Sequence, residues 1–219
     1  MKNIFLSASI PLPERHPKYY DTADIIAIRD AVIALASIVI GKHKIIWGGH
    51  PSITPLINFV IERTIQYRLG NTINEMSSVE QKNYLFQEIK KEIQKHVTIY
   101  QSEFFRDKFP EDNEKFKNIV FTENKGDIHS SIQEMRQKML SENDFVAAVF
   151  IGGMDGIEVE YKMFRERHPT ALILPIASTG AATKIVFDNL VDEDEAKHER
   201  FLKDYGYMSL FQKYLIDNI

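Results

Sequence analysis

Cysteine is absent from the 219 residues, which excludes disulfides, cysteine-ligated zinc and thiol catalysis. A basic surplus is missing as well. The net charge is −4, so the chain lacks the electrostatics that dominate nucleic-acid affinity, and nucleic acid is not an expected partner. No apolar run reaches the roughly 18 residues that could cross a bilayer, and the apolar stretch within residues 1–9 is too brief for a secretion signal. A soluble, cytoplasmic protein without a membrane partner is the expectation. The seven histidines show no HExxH or similar spacing, so neither a metal nor a cofactor is expected. The phosphate-binding loop GxxxxGK followed by Ser or Thr is missing, which argues against Mg-ATP hydrolysis, and the GxGxxG dinucleotide fingerprint is missing too. There is no internal repeat and no low-complexity tract.

What is present is an apolar share of 44%, enough for one well-buried domain over residues 1–219. Val146 to Ile151 is apolar at every position rather than alternating, as in a central strand of a parallel sheet covered on both faces. It runs into Gly152-Gly153-Met154-Asp155-Gly156, where glycines permit a tight turn and a close ligand approach, and the start of the next helix favours an anion. Ile157, Tyr161 and Phe164 then follow helical spacing, which puts Glu158 and Glu160 off the buried stripe.

The same unit recurs along the chain. Asn3 to Ala8 predicts a strand ending in the small residues Ser7 and Ser9. A proline-rich loop follows, in which Arg15, Tyr19 and Tyr20 offer phosphate contacts and stacking. Asp21 or Thr22 can cap a helix whose Ile25, Ile28, Val32, Leu35 and Val39 form a core stripe. Lys44 to Trp47 predicts a strand leading to Gly48-Gly49-His50-Pro51-Ser52 and a helix. Residues 70–95 predict a helical elaboration capped by Ser77 or Ser78. Val97–Tyr100 and Ile119–Thr122 predict two short strands. Asp127 can cap a helix with Ile128, Ile132, Met135 and Met139 on its core side. Ala171 to Ile176 predicts the last strand, ending at Ser178-Thr179-Gly180 with Thr183 close behind. There, hydroxyls and small residues leave room for a sugar or phosphate. Residues 192–200 read as a solvated charge run. Residues 200–219 predict a helix whose Met208, Phe211 and Leu215 can lie against the domain or against a second subunit.

Alternating strands and helices predict an α/β, Rossmann-like three-layer domain with a mainly parallel sheet and helices on both faces. In such a sheet the turns after Ser7, Gly48, Gly152 and Ser178 gather beyond the carboxyl ends of the strands, where ligands collect. A pocket of small residues, hydroxyls and few cations suits a nucleotide with one or two phosphates.

On these residues the chain resembles the SLOG superfamily, Rossmann-like domains related to the LOG phosphoribohydrolases and the DNA-processing DprA proteins. The LOG-type motif PGGxGTxxE is similar to Ile151 through Glu160 with three departures: Ile151 stands for proline, one residue is inserted, and Ile157 stands for threonine. The resemblance places Glu160 on the motif glutamate. In LOG enzymes that glutamate acts with an arginine in cleaving the bond between base and ribose phosphate. Gly48-Gly49-His50-Pro51-Ser52 and the Ser178 turn look more like SLOG branches of bacterial conflict systems that accompany TIR or sirtuin-type effectors. That resemblance implies a sensor of an ADP-ribose or cyclic ADP-ribose type signal in anti-phage defence, working as a homo-oligomer (dimer or tetramer) or through a separate effector protein. It also leaves open an N-glycoside hydrolase or deoxyribosyltransferase using Glu160, with Asp155 or Glu158 as acid. The implied ligand contacts are Ser7, Ser9, Arg15, Gly48, Gly49, His50, Ser52, Gly152, Gly153, Met154, Asp155, Gly156, Glu160, Ser178, Thr179, Gly180 and Thr183.

Overall fold

The computed structural model describes residues 1–14, 17–73, 78–190 and 195–219. The strands are β1 (Asn3–Ser9), β2 (Lys44–Gly48), β3 (Val97–Ser102), β4 (Ile119–Thr122), β5 (Phe145–Gly152) and β6 (Leu172–Ile176). They form one sheet in the order β4-β3-β2-β1-β5-β6, with every pairing parallel. The expected Rossmann-like three-layer α/β fold is what the chain adopts. The helices are α1 (Pro17–Tyr20), α2 (Ile25–Val39), α3 (Thr54–Ile73), α4 (Val79–Gln94), α5 (Ile128–Ser141), α6 (Asp155–Arg167), α7 (Ala181–Asp188), α8 (Glu195–Lys203) and α9 (Tyr207–Tyr214). Two short 3-10 turns, Glu103–Lys108 and Glu111–Lys115, join β3 to β4.

Alternate residues of the central strands feed two cores. Ile4, Leu6, Ala147, Val149 and Ile151 pack under α2, α3, α4 and α9. Phe5, Ala148 and Phe150 pack under α5, α6 and α7. Burial on both faces is why β5 is apolar at consecutive positions.

Several local expectations shift. Neither Asp21 nor Thr22 caps α2: the cap is Asp24, its side chain accepting the Ala27 N–H at 2.9 Å. Ile25 consequently sits at the helix start and is exposed, while Ile28, Val32, Leu35 and Val39 are buried. Ser78 caps α4 by accepting the Gln81 N–H, whereas Ser77 lies outside the described residues. The charge run is not a plain solvated connection in its described part: Glu195–Lys203 is α8, held by buried Phe201. The C-terminal segment is two helices, broken at Asp204–Gly206, and its Phe211 and Leu215 are buried against the rest of the chain.

Candidate functional site

The strand order reverses at β1. The chain passes from β1 to β2 on one side, and after β4 it crosses back to place β5 on the other. In an open α/β sheet the crevice at such a reversal, beyond the strands' carboxyl ends, is the natural ligand position. Ser9 and Gly152 are register partners there.

Aromatic packing fixes what faces this crevice. Phe164 of α6 stacks on Phe5 of β1, with ring centres 5.4 Å apart and planes 8° from parallel. Glu160 lies one turn back along α6, and Ser7 lies two residues further along β1 on the Phe5 face. The stack therefore brings Glu160 over Ser7. Ser7 Oγ donates to Glu160 Oε2 at 2.5 Å, and Arg136 Nε of α5 donates to Glu160 Oε1 at 3.0 Å. The Arg136 and Glu160 side chains are only 14% and 16% exposed. Gly156 makes room for the guanidinium, since a β-carbon there would stand 2.8 Å from Arg136 Nη2. Arg136 was not among the residues singled out from sequence.

The glycine turn is braced from within the protein. Gly152 and Gly153 have φ of 60° and 79°, the left-handed region that glycine tolerates. The Gly152 N–H donates to Thr179 Oγ1 at 2.9 Å, Thr179 Oγ1 donates to the Ile176 carbonyl at 2.6 Å, and Thr183 Oγ1 donates to the Gly152 carbonyl at 2.9 Å. The Gly153 N–H donates to the Ser9 carbonyl at 2.8 Å. Thr179 and Thr183 are buried, and their hydroxyl protons serve this brace. The amides of Gly152 and Gly153 are likewise taken. Their lack of a side chain serves packing: a β-carbon at Gly152 would overlap Ile28, and one at Gly153 would overlap Ile157.

The Gly48 turn follows the same logic. The Gly49 N–H donates to the Tyr100 carbonyl at 2.8 Å, and the His50 N–H to Thr54 Oγ1 at 3.3 Å. Ser52 donates its N–H to His50 Nδ1 at 3.2 Å, with its hydroxyl 2.8 Å from the same nitrogen, and accepts the Ile10 N–H at 3.2 Å. His50 and Ser52 thereby tie this turn to the end of β1. A β-carbon at Gly48 would meet Met135 of α5, and one at Gly49 would overlap the buried Gln101 side chain.

Around the crevice, α6 opens at Met154 without a side-chain cap and carries Asp155 and Glu158 in its first turn. In that first turn the Ile157 N–H donates to the Met154 carbonyl at 2.9 Å. Tyr19 of α1 is buried and donates to Glu158 Oε1 at 2.6 Å. Burial, reinforced by the Glu158 hydrogen bond, holds the Tyr19 phenol above its ordinary value, so it stays a donor. The Ser178 hydroxyl faces away from this cluster: it donates to the Asp204 carbonyl at 3.0 Å and lies 3.1 Å from Tyr207 Oη. Gly180 packs its α-carbon beneath the Thr22 carbonyl. Arg15 lies outside the described residues.

Of the sequence-selected residues, the structure thus gathers Ser7, Ser9, Gly152, Gly153, Met154, Asp155, Gly156 and Glu160 at the strand reversal. Gly48, Gly49, His50 and Ser52 border them on the β2 side. Among the described residues no cluster of three or more His, Asp or Glu side chains could hold a metal ion, and no helix is long and apolar enough to cross a membrane.

A six-stranded parallel sheet with helices on both faces, and a glycine turn and a held acid at its strand reversal, defines a Rossmann-like α/β domain. The chain belongs to the SLOG cluster3 family, whose model matches residues 18–79 and 81–215. Membership supports a nucleotide-related role in general. No curated protein matches the chain.

Proposed function

We propose that this chain binds a nucleotide-derived signal of the ADP-ribose or cyclic ADP-ribose type in the crevice between β1 and β5, as a sensor in a bacterial anti-phage system. The observation that carries the reading is Glu160, with one oxygen engaged by Ser7 and the other by Arg136. A carboxylate held at both oxygens is a fixed acceptor, and each oxygen keeps a further lone pair for a ribose hydroxyl. The remaining guanidinium N–H groups of Arg136 supply donors for a phosphate. The response passes to a separate effector protein or to oligomerisation of the chain itself.

One observation favours a second reading, N-glycosidic cleavage: the motif glutamate has an arginine partner. In that reaction the bond between C1′ and the base nitrogen breaks, water oxygen bonds to C1′, and the base leaves with a proton from Asp155 or Glu158, which the proton lost by the water then restores. Glu160 stabilises the positive charge developing on the sugar. Glu158 already accepts from Tyr19, and a doubly held Glu160 is a poor nucleophile, so binding is the stronger reading.

Glu160→Gln separates the two. Calorimetric titration of ADP-ribose, with chromatography of the same samples, should give weaker binding and no product from either protein. Release of free base by the wild type, lost in Glu160→Gln while binding persists, contradicts the sensor reading.

A further inference from the structure

The outer surface of the helical layer carries a groove between α2 and α3 of about 240 Å³. Its walls are apolar. Ile33, Val60, Phe59 and Tyr67 line it, and Phe59 and Tyr67 remain 48% and 73% exposed. The two hydroxyls in the groove are turned into their own helices, Ser37 donating to the Ile33 carbonyl at 2.7 Å and Thr64 to the Val60 carbonyl at 2.8 Å. The one formal charge in the lining is Arg63, 5.7 Å from the centre of the Phe59 ring. Among the described residues Arg63 has no carboxylate partner. Exposed Tyr and Phe beside Arg is the composition enriched in protein interfaces.

The complementary feature sits on the neighbouring helix. Tyr84 of α4 is 71% exposed, and Glu80 and Glu88, exposed one turn to either side of it, have no cationic partner among the described residues. An aromatic anchor flanked by two carboxylates fits an apolar groove rimmed by one unpaired arginine. Helix α4 packs beside α3, so within one chain Tyr84 and the groove lie on the same helical layer. A two-fold axis between two copies lets each present its α4 to the other's groove.

We infer that the groove receives Tyr84 of a second copy of this chain, with Glu80 and Glu88 of that copy against Arg63, in a reciprocal dimer. The interface is independent of the ligand crevice. Light scattering on the eluting full-length chain across a micromolar dilution series tests it. The wild type should show twice the 25.4 kDa mass of one chain, and Tyr84→Ala and Arg63→Glu should each show the single-chain mass with unchanged circular dichroism. Adding Glu80→Lys and Glu88→Lys to Arg63→Glu reverses both signs and should recover the dimer. A wild type of single-chain mass at every concentration overturns the inference. So does a dimer that persists in Tyr84→Ala and Arg63→Glu, or a charge-reversed chain that stays single.

Discussion

Arg136 and Glu160 stand 24 residues apart in sequence and meet at 3.0 Å, bridging α5 and α6 over the end of β1. The contact gains room from Gly156, where a β-carbon would stand 2.8 Å from Arg136 Nη2, the mobile end of that side chain. It also explains how a carboxylate can lie largely buried beside an apolar sheet: its charge is matched and its oxygens are hydrogen-bonded.

Removing the arginine leaves that carboxylate unmatched. Arg136→Met should lower stability by about 1–3 kcal/mol and abolish nucleotide binding. The double variant Arg136→Met/Glu160→Gln should regain most of the stability but none of the binding, since the buried charge is gone while the donors are still missing. Thermal denaturation followed by circular dichroism decides this; an Arg136→Met protein that melts with the wild type contradicts it.

Thr179 tests whether the hydroxyls after β6 brace the turn or meet the ligand. Thr179→Val keeps the shape but strands the Gly152 N–H, at an expected cost of about 1–3 kcal/mol. Thr179→Ser keeps the hydroxyl and should stay within about 1 kcal/mol of the wild type. Equal stability of the two variants, with affinity lost only in the valine form, assigns the hydroxyl to the ligand instead.

Two glycines should respond oppositely to alanine. Gly180 has φ of 69°, and a β-carbon would stand 1.8 Å from the Thr22 carbonyl oxygen. That backbone neighbour has little room to give, so Gly180→Ala should cost about 3 kcal/mol or more. Gly70 lies in α3 with no atom within 4 Å of an added β-carbon. Gly70→Ala should therefore stabilise by about 0.5–1 kcal/mol. Chemical denaturation midpoints give both signs.

Mild acid should weaken the fold through His43. Burial, then the positive charges of Lys2, the amino terminus and Lys42, hold its imidazole below the ordinary 6.5. Between 6.5 and the lower folded value the unfolded chain binds more protons, so stability falls as pH falls through that window. Above 6.5 the group is neutral in both states and contributes no slope. His43→Gln should lose less stability than the wild type between about pH 7.5 and 5.5. Parallel urea titrations showing equal losses would refute this.

Much of this was legible in the residues. Val146 to Ile151 is continuously apolar because helices cover both faces of β5, and the glycines after it mark the turn that carries the crevice. Glu160 was legible for the same reason: Ile157 and Phe164 define the buried face, and Glu160 falls beside it. Arg136 was not. It follows Met135 on a helix whose stripe reads as core, and its role emerges only when α6 lies alongside. The cap expected at Asp21 or Thr22 falls instead on Asp24, because all three are capping residue types just before the same helix and only backbone geometry selects one. The commitments of Thr179 and Thr183 to Gly152 were hidden in kind, since a hydroxyl near a turn has the same sequence signature whether it serves backbone or ligand. The second half of the charge run became α8 because Phe201 supplies an anchor that charge counting overlooks.

Mass spectrometry of the purified protein after incubation with NAD, ADP-ribose, cyclic ADP-ribose isomers and nucleoside monophosphates tests the central claim most directly. One intact nucleotide retained by the wild type and lost in Arg136→Met, with no free base in solution, is the expected result. Free base accumulating with ribose phosphate, or no nucleotide retained at all, would contradict it.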